Sequence, residues 1–213
     1  MSELSVLDKL LCGIDTALRT LIVPDCRQSN RASPAIELKE PPLTPTDKAH
    51  VAGLMRVNHA GEVCAQALYQ GQALTAQLRT VREQMTQAAA EEVDHLAWCE
   101  QRLRELNSQP SLLNPLWYTG SFLIGALAGL AGDRWSLGFV AETERQVSNH
   151  LEKHLQHLPE QDHKSNAILK MMQTDEAHHA EVAIQAGAAE LPPFIKQCMQ
   201  TVSKIMTESS YHL

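Results

Sequence analysis

Residues 91–95 read Glu91-Glu92-Val93-Asp94-His95, and residues 175–179 read Asp175-Glu176-Ala177-His178-His179. Each stretch holds a Glu-x-x-His, Glu92 with His95 and Glu176 with His179. Three residues advance an α-helix by about 300°, so the Glu and the His sit on adjacent turns of one face and reach a common point. One Glu-x-x-His arises easily by chance in a chain with ten histidines. The wider spacing does not. Glu62 precedes Glu92 by 30 residues and Glu144 precedes Glu176 by 32, each in mid-helix and one helix upstream. The order over four successive helices is Glu, Glu-x-x-His, Glu, Glu-x-x-His. Two antiparallel hairpins packed around a shared centre would bring all six side chains together.

That order is the ligand set of ferritin-like carboxylate proteins, whose bundle cores hold a pair of metal ions. The fold class expected is all-α, a ferritin-like four-helix bundle with additional apolar helices. The metal ligands expected from spacing are Glu62, Glu92, His95, Glu144, Glu176 and His179. Four buried carboxylates would carry a charge of −4 that is costly without compensation, and two divalent cations cancel it. Two imidazoles among carboxylates suit iron. Metal-bound histidines donate their second ring N–H to a carboxylate or carbonyl, and Asp175 and Glu91 are placed to serve the His on the facing helix. Asp94 is open between an inward and an outward position. His59, one turn before Glu62, and His150, on the helix of Glu144, are candidate proton-transfer residues. His154, His157 and His178 read as surface or packing residues. Tyr69 is seven residues after Glu62 and reads first as core. A third Glu-x-x-His, Glu160-Gln161-Asp162-His163, follows Pro159 directly and reads as a helix cap with a surface patch.

The chain's 213 residues allow one helical domain with a sizeable core. Lys plus Arg number 18 against 25 Asp plus Glu, a formal charge of −7, and aromatics are 4% of the chain. Nucleic acid is therefore not expected as a partner, neither through phosphate contacts nor through base stacking. The cysteines, Cys12, Cys26, Cys64, Cys99 and Cys198, form no CxxC pair and are odd in number, which fits free thiols in a reducing compartment. The N-terminus lacks the basic region of a secretory signal.

Residues 1–22 form one segment, with an amphipathic helix expected over 3–22 from Leu4, Leu7, Leu11, Ile14, Leu18 and Leu21. Residues 23–45 hold five of the ten prolines and read as a linker. Residues 46–213 read as the bundle domain. Helices are expected from Thr46 to about Gln77, Thr80 to Asn107, Asp133 to Leu158 and Glu160 to Gly187, with a last one starting at Pro192-Pro193. Residues 106–132 carry no charge, and the stretch from Leu116 to Gly132 is shorter than the ~20 residues a spanning helix needs. Two readings of it stand: a segment lying in a membrane surface, anchored by Trp117 and Tyr118, or a buried core helix.

The run Met55-Arg56-Val57-Asn58-His59-Ala60-Gly61-Glu62, the two Glu-x-x-His motifs and Asn114-Pro115-Leu116-Trp117 with its Gly/Ala-rich sequel together resemble the demethoxyubiquinone hydroxylase family of ubiquinone biosynthesis, over residues 46–213. The Pro-rich N-terminal part resembles the bacterial branch. The resemblance implies the six ligands already read from spacing, and its spacing to His150 selects Glu144 over Glu142. It implies two iron ions with Glu92 and Glu176 bridging, a polyprenyl benzoquinol substrate and dioxygen as co-substrate. It also implies a peripheral enzyme on the cytoplasmic face of the cell membrane. Whether other ubiquinone-biosynthesis proteins dock on it stays open, since residues 3–22 fit a docking helix and an internally packed helix equally well. Three rival readings share parts of the pattern. They are a ferritin-like iron store, a radical subunit of the ribonucleotide-reductase type with Tyr69 beside the cluster, and a non-enzymatic quinone-binding helical protein.

Overall fold

The computed structural model describes residues 5–213; the expected helix start at residue 3 and Leu4 lie outside the described residues. Seven helices and no strand occur among them: α1 (Val6–Leu21), α2 (Pro45–Thr75), α3 (Arg79–Glu105), α4 (Asn114–Leu130), α5 (Asp133–His157), α6 (His163–Gln185) and α7 (Pro193–His212).

The helix ends follow local chemistry. Ser5 and Asp8 form a reciprocal capping box at α1. Thr44 accepts from the Asp47 N–H at the start of α2, where Pro45 supplies a preset φ and no idle donor. Asn107, at φ +53°, takes the left-handed position after α3, and the Ser108 N–H returns to the Leu103 carbonyl at 2.8 Å. The Asp133 carboxylate, at the first residue of α5, accepts the N–H groups of Gln77 (3.0 Å) and Leu78 (2.7 Å), pinning the α2–α3 turn to the second hairpin. α6 begins at His163 rather than Glu160, because residues 159–162 form a turn and Asp162 is the cap, accepting from the Ser165 N–H at 2.9 Å.

α2 with α3 and α5 with α6 form the two antiparallel hairpins of a four-helix bundle. Its interior is layered. One apolar cluster gathers Met55, Trp98, Leu103, Leu151, Ile168 and Met172; another gathers Tyr69, Val81, Met85, Leu137, Val140 and Ala183. On every bundle helix the Glu or Glu-x-x-His lies between its contributions to these two clusters. The acidic layer is thus flanked by apolar packing at both ends.

Three elements wrap this bundle. Residues 23–45 do not behave as a free linker. Arg27 reaches Glu100, Arg31 reaches Asp94 and Asp175, Ser33 and Ala35 are buried, and Glu40 pairs with Arg102 at 2.7 Å. The prolines prevent a helix, and the arginines strap the extended chain to α3 and α6. α4 lies across α2 at close range: a methyl group on Gly125 would strike the Leu68 carbonyl, and one on Gly71 would strike the Phe122 carbonyl. The opposite face of α4 exposes Leu116, Leu123, Leu127 and Leu130. Neither reading of residues 106–132 describes this helix alone, since one face is core and the other is bare. Tyr118 is no interface anchor; it is buried, and its hydroxyl donates to the Gln70 side-chain oxygen Oε1. Trp117 turns inward too, its indole N–H donating to Ser210 Oγ at 3.0 Å. α1 and α7 continue the bare apolar surface with Leu7, Leu11, Ile14, Leu18, Phe194, Val202 and Ile205. No helix among the described residues is long and apolar enough to cross a membrane.

Candidate metal centre

Glu62 of α2, Glu92 and His95 of α3, Glu144 of α5, and Glu176 and His179 of α6 are all buried and converge in the middle layer. Glu62, Glu92, His95 and Glu176 offer ligand atoms that all lie within 4.8 Å of one another. Glu92 divides its oxygens between the histidines, Oε2 lying 2.9 Å from His95 Nδ1 and Oε1 3.4 Å from His179 Nδ1. Glu176 does the same, with Oε1 3.2 Å from His95 Nδ1 and Oε2 3.3 Å from His179 Nδ1. Glu62 stands on the His95 side, 3.4 Å from that Nδ1. Glu144 accepts a hydrogen bond from the Tyr69 hydroxyl. The layer has an approximate two-fold pattern, with two carboxylates spanning two histidines and one terminal carboxylate on each hairpin.

Both histidines turn Nδ1 inward and Nε2 outward. The outer nitrogen of His95 meets Asp175 Oδ2 at 2.9 Å, and that of His179 meets Glu91 Oε2 at 2.7 Å. Asp175 and Glu91 therefore reach the His on the facing helix, fixing both ring orientation and the nitrogen that faces the centre.

The electrostatics call for cations. Burial, reinforced by the charge of Glu92, pushes the Glu62 carboxyl well above the usual carboxylate range. Burial, with the charges of Glu176 and Glu92, does the same to Glu144. Burial alone would lower the imidazoles. The surrounding carboxylates, Glu92 foremost for His95 and Glu176 for His179, instead raise His95 well above its ordinary value and His179 to about 12. Protons thus balance the anions when they are the only cations available. Glu92 Oε1 and Glu144 Oε2 are buried and accept no hydrogen bond. Carboxylates with idle lone pairs beside neutral-capable imidazoles are a donor set for hard or borderline divalent ions.

The other candidates have different surroundings. His59 is buried, but it contacts Glu100 Oε1 (3.4 Å) and the Asn114 side chain (3.3 Å), and Glu100 is held by Arg27 at 2.7 Å. His150 packs against His154, ring centroids 3.9 Å apart and planes tilted by 59°. None of these contacts reaches the acidic layer. His154 is no surface residue; it is buried against Asn58 Oδ1 at 3.0 Å. His157 and His178 are exposed, as are Glu160 and His163 of the third motif. Glu142 is also buried, yet it pairs with Arg145 (2.8 Å) and Lys196 (3.8 Å) away from the layer that Glu144 enters.

The sequence leaves Asp94 open between two positions and Tyr69 first as core, and the role of Arg31 goes unread. Asp94 is buried beneath the 23–45 strap and accepts from the Asn30 N–H (2.6 Å) and Arg31 Nε (2.9 Å). Arg31 also bonds Asp175 at 2.8 Å and lies 4.9 Å over the Trp98 ring. Tyr69 is a hydrogen-bond donor to the centre as well as a core residue. The available signal was Arg27 and Arg31 in a Pro-rich segment, opposite acidic residues of α3 that had no sequence-local partner.

A cavity of about 520 Å³ opens between α2, α4, α5 and α7. Gly61, Ala65, Thr143 and Val147, neighbours of Glu62 and Glu144 along the chain, form part of its wall, and Leu116, Gly120, Ile124 and Phe194 carry it towards the bare apolar surface.

Comparison with known proteins places the chain among relatives that match it from end to end. The family model described as ubiquinone biosynthesis protein COQ7 matches residues 49–210. The 3-demethoxyubiquinol 3-hydroxylase of Legionella pneumophila (strain Paris) is 65% identical over 213 residues, covering the whole of both chains. Proteins of the same name from Acinetobacter baylyi (strain ATCC 33305 / BD413 / ADP1) and Acinetobacter baumannii (strain SDF) are each 58% identical over 213 residues, again covering both chains in full.

Proposed function

Since this chain belongs to the COQ7 family of ubiquinone biosynthesis proteins, we propose that it hydroxylates the ring of demethoxyubiquinol, a polyprenylated methoxy-benzoquinol, using dioxygen at a centre of two iron ions. The observation that carries the metal part is the division of Glu92 and Glu176, each with one oxygen towards each histidine. Carboxylates so divided would be placed to bridge two ions. Glu62 with His95 would hold one ion, and Glu144 with His179 the other. Two ferrous ions held there would supply the two electrons that, with two protons, let one atom of dioxygen enter an electron-rich ring and the other leave as water, and an external reductant would restore them.

The chain's own residues orient, shield and tune. Tyr69 holds Glu144 in one rotamer. Asp175 and Glu91 fix the histidine rings. The apolar clusters above and below the layer exclude water, which protects reactive species and strengthens electrostatic contacts. The 520 Å³ cavity falls within the usual range for a small-molecule site, roughly 300–1,000 Å³, and its apolar wall suits a quinol ring followed by a prenyl tail.

A prenylated quinol stays in the bilayer, so the enzyme must meet it there. The exposed leucines of α1 and α4 and the apolar residues of α7 support a peripheral seat on the cytoplasmic face of the cell membrane, with the cavity mouth towards the lipid. All five cysteines are free thiols, which fits a reducing compartment.

The test is turnover of demethoxyubiquinol by anaerobically iron-loaded protein supplied with a reductant and ¹⁸O₂. The product should gain one ¹⁸O atom. Cells lacking the chain should accumulate the unhydroxylated quinol and recover with the wild type but not with Glu176→Ala. Product without label, or recovery with Glu176→Ala, contradicts the proposal.

A further inference from the structure

A second, smaller cavity of about 40 Å³ lies inside the bundle itself. Tyr69 of α2, Met85 of α3, Leu137 and Val140 of α5, and His179 and Ala183 of α6 bound it, so all four bundle helices contribute. It shares no wall residue with the 520 Å³ cavity. Two of its walls belong to the metal centre: His179 itself, and Tyr69, which donates to Glu144.

Its size and lining select its occupant. An ordered water needs about 10–15 Å³ and two to four polar partners. The space suffices; the partners are lacking. The Tyr69 hydroxyl is committed to Glu144, and His179 Nε2 to Glu91. Half-buried Gln84 is the one further polar side chain in the wall; the rest is aliphatic or thioether. A cavity so poor in polar partners holds water weakly and favours small apolar molecules.

We propose that this cavity admits dioxygen and holds it beside the metal centre, so that the two substrates arrive by separate routes. The inference rests on the hydroxylation proposed above. A quinol ring in the large cavity, with its prenyl tail behind it, fills the approach from α4 and α7. A gas that had to follow the same path would be shut out once the quinol had bound. The small cavity gives dioxygen a place against His179 and Tyr69 that the quinol does not occupy.

Xenon, an inert apolar atom, probes the cavity without turnover. Under xenon pressure, ¹²⁹Xe NMR or diffraction from wild-type crystals should show a saturable site against Val140 and Met85, and Val140→Phe should abolish it. In iron-loaded enzyme, Val140→Phe should raise the KM for dioxygen by roughly an order of magnitude, with kcat at saturating dioxygen and the KM for quinol unchanged. Ala183→Val, a smaller filling, gives the same reading if the larger side chain disturbs iron loading. Gly120→Leu, which projects into the larger cavity, should raise the KM for quinol and leave that for dioxygen alone. Exclusion of xenon from the wild type, or an unchanged KM for dioxygen in the iron-replete filled variants, overturns the inference. Absence of quinol turnover in the wild type would count instead against the proposed hydroxylation, and the xenon measurement would still decide whether the cavity takes up an apolar gas.

Discussion

Asp175 Oδ2 lies 2.9 Å from His95 Nε2, and Arg31 Nη2 closes on the same oxygen at 2.8 Å. The matching contact on the other side, Glu91 to His179 at 2.7 Å, is supported by Gln87 at 2.9 Å and has no arginine clamped on it. The two halves of the centre are therefore tuned differently. Asp175→Asn and Arg31→Gln should weaken one of two bound ions by about 10–100-fold, the usual cost of losing a partner behind a metal-bound histidine. Glu91→Gln should weaken the other. Anaerobic titration with Co(II), followed by visible absorption, separates the two events. Equal weakening of both ions in Arg31→Gln would show that the strap supports the fold and not His95.

Tyr69 donates to Glu144, whose second oxygen has no partner. Tyr69→Phe keeps the ring packing and removes the donor. It should cost about 1–2 kcal/mol of stability, the price of a buried acceptor left unmet, and slow hydroxylation without unfolding the bundle. Urea denaturation and steady-state turnover check this. A variant as stable and as active as the wild type would refute the role given to the hydroxyl.

Acid should destabilise the fold through a histidine pair remote from the metal layer. Burial holds His154 down to about 3 and, with Lys153 nearby, His150 down to about 4. The unfolded chain protonates both near 6.5, so it binds protons that the folded chain refuses. Their contribution is fully present above about 6.5 and falls away towards 4 and 3, by up to about 1.4 kcal/mol per pH unit for each group. Denaturation of the wild type and His154→Asn near pH 7 and near pH 5 measures it. The variant should lose less stability on acidification; an equal loss would show that the pair is not responsible.

Membrane seating is tested on α4. Leu123 and Leu127 are 57% and 66% exposed, so Leu123→Asp and Leu127→Asp should fold and load iron normally. Liposome binding and turnover of a long-tailed quinol should fall, while a short-tailed quinol is still hydroxylated. A charge held at depth in a bilayer costs on the order of 3 kcal/mol. Gly125→Leu, aimed into α2, should instead destabilise the protein. Unchanged liposome binding by the aspartate variants would move the membrane site to α1.

The bundle and the six converging side chains were legible in the sequence because helical spacing is local. Once Glu92 and His95 share a face, and Glu62 and Glu144 stand one helix upstream, antiparallel packing leaves them little else to meet. The choice of Glu144 over Glu142 was legible only through resemblance, since both are buried and their difference is the face each presents. Partnerships made across the fold were not legible. Arg31 is more than sixty residues from Asp94 along the chain, and the proline count of its segment suggested a linker where the arginines make a strap. Tyr118 misled for the same reason: an uncharged segment with aromatics fits an interface, but Gln70 on α2 offers the hydroxyl an internal partner.

Six residues placed to hold two iron ions make a two-ion centre the expectation to test. Apoprotein is titrated anaerobically with Fe(II) and analysed for metal after gel filtration. The wild type should hold two ions per chain. Glu92→Ala and Glu176→Ala should fail to retain the pair, since each removes a carboxylate spanning both histidines. Glu160→Ala and His163→Ala, on the exposed third motif, should bind as the wild type does. One ion or none in the wild type, or two ions retained without Glu176, would contradict it.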